Sequence, residues 1–202
     1  MIDVTEHYYT PNPMSEHHER LVRAAACGLT LEFVTDAGVF SKDGLDPGSR
    51  LLIETMPPLS GRVLDLGCGW GPVGVFLARL NPEAHLALAD VNRRALDLAR
   101  RNLQMNGARA EVIESDGFSR IEGTFRHVAT NPPIRAGKQV IYAMFDEAFE
   151  RLEPGGTLSV VIRKQQGAPS ALKHFEETFG NAEIAAKSAG YWIIRARKEE
   201  NA

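Results

Sequence analysis

Two short stretches of this chain hold residues whose types and spacing point to chemistry. In Gly61-Arg-Val-Leu-Asp-Leu-Gly-Cys-Gly-Trp-Gly-Pro-Val-Gly74, an apolar segment runs into Gly67, Gly69 and Gly71 and leaves as an amphipathic pattern. Alternating glycines remove side chains where a backbone must turn sharply and approach a ligand, and the helix that follows offers unpaired N–H groups. Such a loop is a nucleotide cradle. Gly69-Trp-Gly-Pro-Val-Gly74 also satisfies the G-x-G-x-x-G spacing of dinucleotide-binding loops, so the glycines alone leave the nucleotide open. Asp65 argues against a dinucleotide, because a carboxylate at the strand end would repel a pyrophosphate lying there. A cationic ligand suits it better.

About 20 residues beyond the loop, Asp90 ends a second apolar segment, where an acid can accept hydrogen bonds from ribose hydroxyls. Ser115-Asp-Gly-Phe118 ends a third. There Asp116 is placed to accept from an adenine amino group, and Phe118 to pack on its ring. The other stretch is Thr130-Asn-Pro-Pro-Ile134. Pro132 and Pro133 hold an extended backbone and remove two N–H donors, leaving carbonyls free to accept, and Asn131 adds a side-chain acceptor. An amine conjugated to a ring is a poor nucleophile because its lone pair is delocalised. Two acceptors that grip its hydrogens turn that lone pair towards an electrophile, as N-methylation requires. Arg135, Lys138, Arg163 and Lys164 follow nearby strands and are candidates for binding phosphates. The six histidines show no metal-ligand spacing, and no Ser-His-Asp or paired-carboxylate arrangement stands out. No metal is expected.

The elements that must position these residues alternate strand and helix. Val63, Leu64 and Leu66 suit a buried parallel strand, and Val73, Phe76, Leu77 and Leu80 recur on one helical face. Residues 84–90, 109–115, 124–130 and 157–162 read as further strands. Between them, Asn92 is placed to cap a helix bearing Ala95, Leu96, Ala99 and Leu103, which Asn106-Gly107 ends. Val140, Met144, Ala148 and Leu152 mark a helical face closed by Glu153-Pro-Gly-Gly156, and 170–179 forms the last helix. Residues 182–186 and 191–196 are joined by Ser188-Ala-Gly190, too short for a crossover helix. The pattern predicts an α/β fold with a mostly parallel seven-stranded sheet, helices on both faces and a C-terminal antiparallel hairpin. Ahead of the core at 58–202, residues 1–57 are expected to form an N-terminal cap and hairpin within one domain. Its parts are a polar, aromatic arm over 1–20, a short hairpin from Leu29–Thr35 through the Asp36-Ala-Gly38 turn to Val39 and Phe40, and a helix started by Asp46-Pro-Gly-Ser49 and ended by Pro57-Pro58.

Composition bounds what such a domain does. Its 202 residues, 44% of them apolar, suffice for one core, and a net charge of −3 gives no global basic footprint, so any nucleic-acid contact must be local. Cys27 and Cys68 are too few for a disulfide framework, and no apolar run approaches the roughly 18 residues of a membrane span. The N-terminus, Met1 to Tyr9, lacks a basic segment followed by an apolar one. The expected setting is cytoplasmic, away from membranes.

These motifs carry a family resemblance that covers nearly the whole chain. The D-x-G-x-G order at Asp65 resembles the first motif of Rossmann-like class I methyltransferases, whose cofactor, S-adenosyl-L-methionine, carries a sulfonium and an ammonium. More closely, the chain resembles the methyltransferase domain of the bacterial 16S ribosomal RNA guanine-N2 methyltransferases and their single-domain relatives. The segments that carry this are His7-Tyr-Tyr, Gly38-Val-Phe-Ser-Lys42, Asp65-Leu-Gly-Cys-Gly-Trp-Gly-Pro72, Asp90-Val-Asn92, Ser115-Asp-Gly117, Asn131-Pro-Pro-Ile-Arg-Ala-Gly-Lys138 and Lys164-Gln-Gln-Gly-Ala-Pro-Ser170.

The resemblance implies an S-adenosylmethionine-dependent enzyme acting on an RNA base, with guanine N2 of 16S rRNA as target. Its implied cofactor site comprises Phe40, Ser41, Asp65, Gly67, Cys68, Gly69, Asp90, Val91, Ser115, Asp116, Gly117 and Asn131. Asn131, Pro132, Pro133 and Ile134 would hold the amine, and Arg135, Lys138, Arg163 and Lys164 the RNA. Partners would be RNA or a ribosomal subunit, with no membrane and no metal, and the enzyme a monomer or homodimer. Long family members carry a degenerate copy of the domain that is thought to help dock RNA, and 202 residues hold one copy only. Protein glutamine, DNA adenine and small-molecule amines stay open as targets, as does a non-catalytic, S-adenosylmethionine-binding partner role.

Overall fold

A computed structural model describes residues 16–200. The arm expected over residues 1–20, with His7-Tyr-Tyr9, lies mostly outside them. The chain begins with a two-stranded antiparallel hairpin, β1 (Arg20–Ala26) and β2 (Leu29–Thr35), followed by helix α1 (Pro47–Thr55). Then come β3 (Arg62–Leu66), α2 (Pro72–Leu80), β4 (His85–Asp90), α3 (Arg93–Met105), β5 (Glu111–Glu114) and β6 (Phe125–Thr130). The last part holds α4 (Lys138–Arg151), β7 (Leu152–Arg163), α5 (Ala168–Phe179), β8 (Glu183–Ser188) and β9 (Tyr191–Arg197).

Strands β3 to β9 form one seven-stranded sheet in the order β5-β4-β3-β6-β7-β9-β8. The pairs from β5 through β7 are parallel, and β9 runs antiparallel to both β7 and β8. Because side chains alternate across a strand, the sheet feeds two cores. Val63, Leu86, Leu88 and Val161 join Leu52, Phe76 and Leu96 on the face of α1, α2 and α3. On the other face, Leu64, Leu66, Val128 and Val160 join Phe145 and Phe175 of α4 and α5. The same alternation puts Asp65 on the α2 side. The chain leaves β3 towards β4 and returns at β6 on β3's other flank, so the switch point, where ligands bind in open α/β sheets, lies outside the carboxyl ends of β3 and β6.

Three expectations are corrected. The hairpin forms between β2 and the preceding β1, not between β2 and Val39-Phe40, and its turn is Cys27-Gly28 with φ of 49° and 76°. Positive φ at both positions is what a type I′ two-residue hairpin turn requires, and a cysteine there gives no turn signal in the sequence. In α4 Ala148 is buried as expected, but the rest of the buried face is Ile141 and Phe145 in place of Val140 and Met144, with Val140 51% exposed. Glu153-Pro-Gly-Gly156 closes no helix. It lies inside β7, where Leu152 already pairs with Phe125 and the register then shifts.

Candidate active site

The glycine loop turns from β3 into α2 at the switch point, and its glycines do two separate jobs. A Cβ on Gly67 or Gly69 would meet nothing within 4 Å, so these residues leave a bare, open backbone where a ligand can approach. A Cβ on Gly74 would instead lie 2.5 Å from Leu88 Cγ, and one on Gly71 3.0 Å from Ala99 Cβ. Those two glycines let α2 and its loop pack directly on β4 and α3. The Gly67 and Cys68 N–H groups donate to the Ala89 carbonyl at 2.8 and 2.9 Å, which pins the loop to the end of β4.

Both acids of the cradle hold backbone. Asp65 is 2% exposed, and its Oδ2 accepts from the Gly74 N–H of α2 at 2.8 Å. It therefore lies beneath the loop and aims the helix N-terminus. Burial pushes its carboxyl up to about 7 against that hydrogen bond, and the charge of Asp90 adds to the rise. Asp90 is half-buried. Its Oδ2 accepts from Gly69 N at 2.8 Å and its Oδ1 from Asn92 N at 2.9 Å. Desolvation raises its pKa, while the N–H groups of Asn92, Gly69 and Val91 oppose the rise. A carboxylate has about four lone-pair sites, so these bonds leave capacity for a ribose hydroxyl. Cys68 is buried, and burial with two nearby carboxylates pushes its thiol well above the usual range, leaving no thiolate nucleophile.

The segment with Phe40 and Ser41 lies against this loop. Trp70 Nε1 donates to the Phe40 carbonyl at 2.8 Å, Asn92 Nδ2 to the Gly38 carbonyl at 3.1 Å, and an Arg94 guanidinium N–H to the Ala37 carbonyl at 2.9 Å. Phe40 is 41% exposed and Ser41 has a φ of 52°. Asn102, wholly buried on α3, ties β2 to the glycine loop by donating to the Val34 and Trp70 carbonyls and accepting from Val34 N. Sequence reasoning missed Trp70 and Asn102 as site-builders. An asparagine on the apolar face of a helix was the available signal.

At the end of β5, Ser115 Oγ donates to the Gly117 carbonyl and accepts from Arg120 N, closing a turn that leaves Asp116 exposed just past the strand end that pairs with that of β4. Phe118 is corrected: at 1% exposure it is core beside Phe125 and Phe145, and has no face to offer a ring.

At the end of β6, Asn131 is half-buried. Its Nδ2 donates to Ser49 Oγ at 3.0 Å and to Asp46 Oδ2 at 3.3 Å, both at the start of α1. Ile134–Ala136 form a single 3-10 turn, in which Ala136 N donates to the Pro133 carbonyl at 2.8 Å. That carbonyl is therefore engaged, contrary to expectation. Among the described residues nothing donates to the Pro132 carbonyl. Around this point Arg135, Lys138, Arg163 and Lys164 are exposed. Arg163 lies over the Tyr191 ring, 4.6 Å from its centroid, and Lys138 over Tyr142 at 5.0 Å. Among the described residues no group of three His, Cys, Asp or Glu could hold a metal, and no helix is long and apolar enough to cross a membrane.

A bare cradle bordered by Asp90, which keeps free lone pairs, and by an exposed acid at the next strand end fits an adenosine carrying positive charge better than one carrying a pyrophosphate. Comparison with known proteins agrees. The methyltransferase small domain family matches residues 30–195. The uncharacterized protein YbxB of Bacillus subtilis is 40% identical over 200 residues, covering 96% of this chain and 100% of that one. The ribosomal RNA small subunit methyltransferase C of Cronobacter sakazakii is 38% identical over 177 residues, covering 85% of this chain and 51% of that protein. Among solved structures, a T. thermophilus 16S rRNA N2 methyltransferase (RsmC) in complex with AdoMet and guanosine superposes with a TM-score of 0.81 at 27% identity, over 93% of this chain and 52% of that one. The chain thus spans about half the length of the ribosomal RNA methyltransferases it matches. Cradle, sheet order and sequence agree that this chain belongs to the methyltransferase small domain family and is an S-adenosylmethionine-dependent methyltransferase.

Proposed function

We propose that this enzyme methylates an exocyclic amine of an RNA base, with N2 of guanine in 16S ribosomal RNA as the target. The observation that carries this reading is Asn131 at the end of β6, beside the glycine loop, with its amide nitrogen engaged by Asp46 and Ser49 and its carbonyl oxygen turned the other way. Similarity to an N2 methyltransferase crystallised with guanosine supports the choice of base.

S-adenosylmethionine supplies an electrophilic methyl group. In this reading Gly67, Cys68 and Gly69 offer it bare backbone, Asp90 and Val91 take the ribose, and Ser115, Asp116 and Gly117 take the adenine edge. Phe40 and Ser41 cover it from the N-terminal side. The Asn131 side-chain carbonyl and the Pro132 carbonyl accept hydrogen bonds from the two N–H groups of the target amine, turning its lone pair out of conjugation and stabilising the positive charge that grows on nitrogen until the methylated amine releases a proton to water. Pro133 and Ile134 fix the turn that holds them. Arg135, Lys138, Arg163 and Lys164 hold phosphates at the rim, a local patch on a chain of net charge −3. The reduced, cytoplasmic setting expected from the two cysteines is where ribosomal RNA is found.

The test is to offer labelled S-adenosylmethionine with deproteinised RNA, assembled ribosomal subunits, DNA and total protein, and then to identify the methylated nucleoside. Label in RNA as N2-methylguanosine is expected. Label in DNA or on a protein glutamine would replace the target, and binding without transfer to any fraction would make the chain a non-catalytic partner.

A further inference from the structure

We infer that Asp46 and Ser49, at the N-terminus of α1, are positioning residues that fix which end of the Asn131 amide faces the substrate. The inference rests on the amine-methylation reading above, and gives its central residue a defined orientation. An asparagine side chain presents a carbonyl on one side and an NH2 group on the other, and rotation by half a turn exchanges them with little change in shape. Only the carbonyl can accept a hydrogen from the target amine. A flipped Asn131 would oppose donor to donor and hold nothing.

The structure supplies the group that prevents the flip. A carboxylate oxygen accepts and does not donate, so Asp46 Oδ2, 3.3 Å from Asn131 Nδ2, is compatible with the NH2 group and repels the carbonyl. Ser49 Oγ takes a second bond from the same nitrogen at 3.0 Å, and Ser49 is 4% exposed, so water has little access to replace it. Both partners are themselves held. Asp46 is the N-cap of α1: Oδ1 accepts from Gly48 N at 2.9 Å and Oδ2 from Ser49 N at 3.3 Å. Gly48 sits so close under the Tyr191 ring that an added Cβ would lie 2.7 Å from it, which clamps the start of α1 against β9. Asp46 thus has two tasks, capping its helix and setting the polarity of an amide that lies 85 residues away in the chain.

The decisive variants are Asp46→Ser, which keeps a good capping oxygen but is too short to reach Asn131, and Ser49→Ala, singly and combined. With RNA as substrate, the combined variant is expected to lose turnover on the order of 10²-fold, the scale of a misplaced reacting group, with S-adenosylmethionine affinity and melting temperature near those of the wild type. Asn131 side-chain amide NMR signals, assigned by their loss in Asn131→Asp, should move and lose protection from exchange. Wild-type turnover in the combined variant, or Asn131 signals that neither move nor lose protection, would overturn the inference. The two failures are separable. Should wild-type protein methylate no RNA, the proposed target falls, while the amide signals still decide whether Asp46 and Ser49 orient Asn131.

Discussion

The two halves of this site, on either side of the switch point, are assembled in different ways. The half proposed for the cofactor is held largely within one strand–helix–strand unit: Asp65 takes the Gly74 N–H nine residues on, and Asp90 takes Gly69, 21 residues back, and Asn92, two residues on. In the half proposed for the substrate, Asn131 depends on Asp46 and Ser49, which are 85 and 82 residues away in sequence. A cradle can be specified by short motifs because most of its hydrogen bonds close between the glycine loop and the strand that follows its helix. An oriented side chain needs whatever the fold brings opposite it. The segment 36–49 links the halves, since it rests on Trp70 and Asn92 through its early carbonyls and holds Asn131 through its last residues.

Mutations that hit one half should spare the other, and the largest effect should come from Asn131. In the proposed reaction Asn131→Ala removes one preorganised acceptor from the target nitrogen, and a loss of about 10²–10³ in turnover is expected. Cofactor affinity by calorimetry should stay unchanged. A matching loss of affinity would mean that the halves are one unit.

Next comes the cradle. Gly74→Ala should destabilise the fold by about 1–3 kcal/mol, because its Cβ would overlap Leu88, a side chain buried on all sides. In a chain of this size about 1 kcal/mol moves the melting temperature by about 2–4 °C, so a thermal scan resolves it. An unchanged melting temperature would show that α2 can lift from β4.

Asp65→Asn separates support from function. The carboxyl is raised from its ordinary 3.8 to about 7 in the fold. The native state therefore holds that proton more tightly than the unfolded chain, and the stability it brings is complete below pH 3.8 and lost as pH rises through 7. An asparagine cannot lose that proton and can still accept from Gly74, so the variant should melt a few degrees higher than wild type at pH 8 and alike at low pH. Its affinity for S-adenosylmethionine at pH 8 should fall. A variant no more stable at pH 8 would place the titration elsewhere.

The smallest effect belongs to the rim. Arg135→Ala and Lys138→Ala should each reduce the log–log salt slope of RNA binding by roughly 0.7–0.9, one counterion per lost phosphate contact, with cofactor affinity unchanged. Wild-type slopes in both would move the docking patch towards Arg163 and the Tyr191 ring it covers.

Much of this was legible in the residues. Strand, glycine turn and helix follow from apolar runs and from Gly67, Gly69 and Gly71. Asn92 and Asp46 announce their caps, and Ser188-Ala-Gly190 forces an antiparallel end to the sheet. Phe118 was misplaced because an aromatic after a polar turn looks the same whether it faces a ligand or the core. The α4 face was misplaced because Val140, Ile141, Met144 and Phe145 supply two overlapping apolar stripes, and only packing against α5 selects one. Cys27-Gly28 was invisible as a turn since cysteine carries no preference for positive φ. The sequence by itself determined the order of elements and the composition of the cradle, because hydrophobic periodicity and turn chemistry act over a few residues. The tertiary structure alone decided which way the Asn131 amide is turned and which proline carbonyl after it is engaged by backbone, because those depend on groups that meet only once α1 has docked against the end of the sheet.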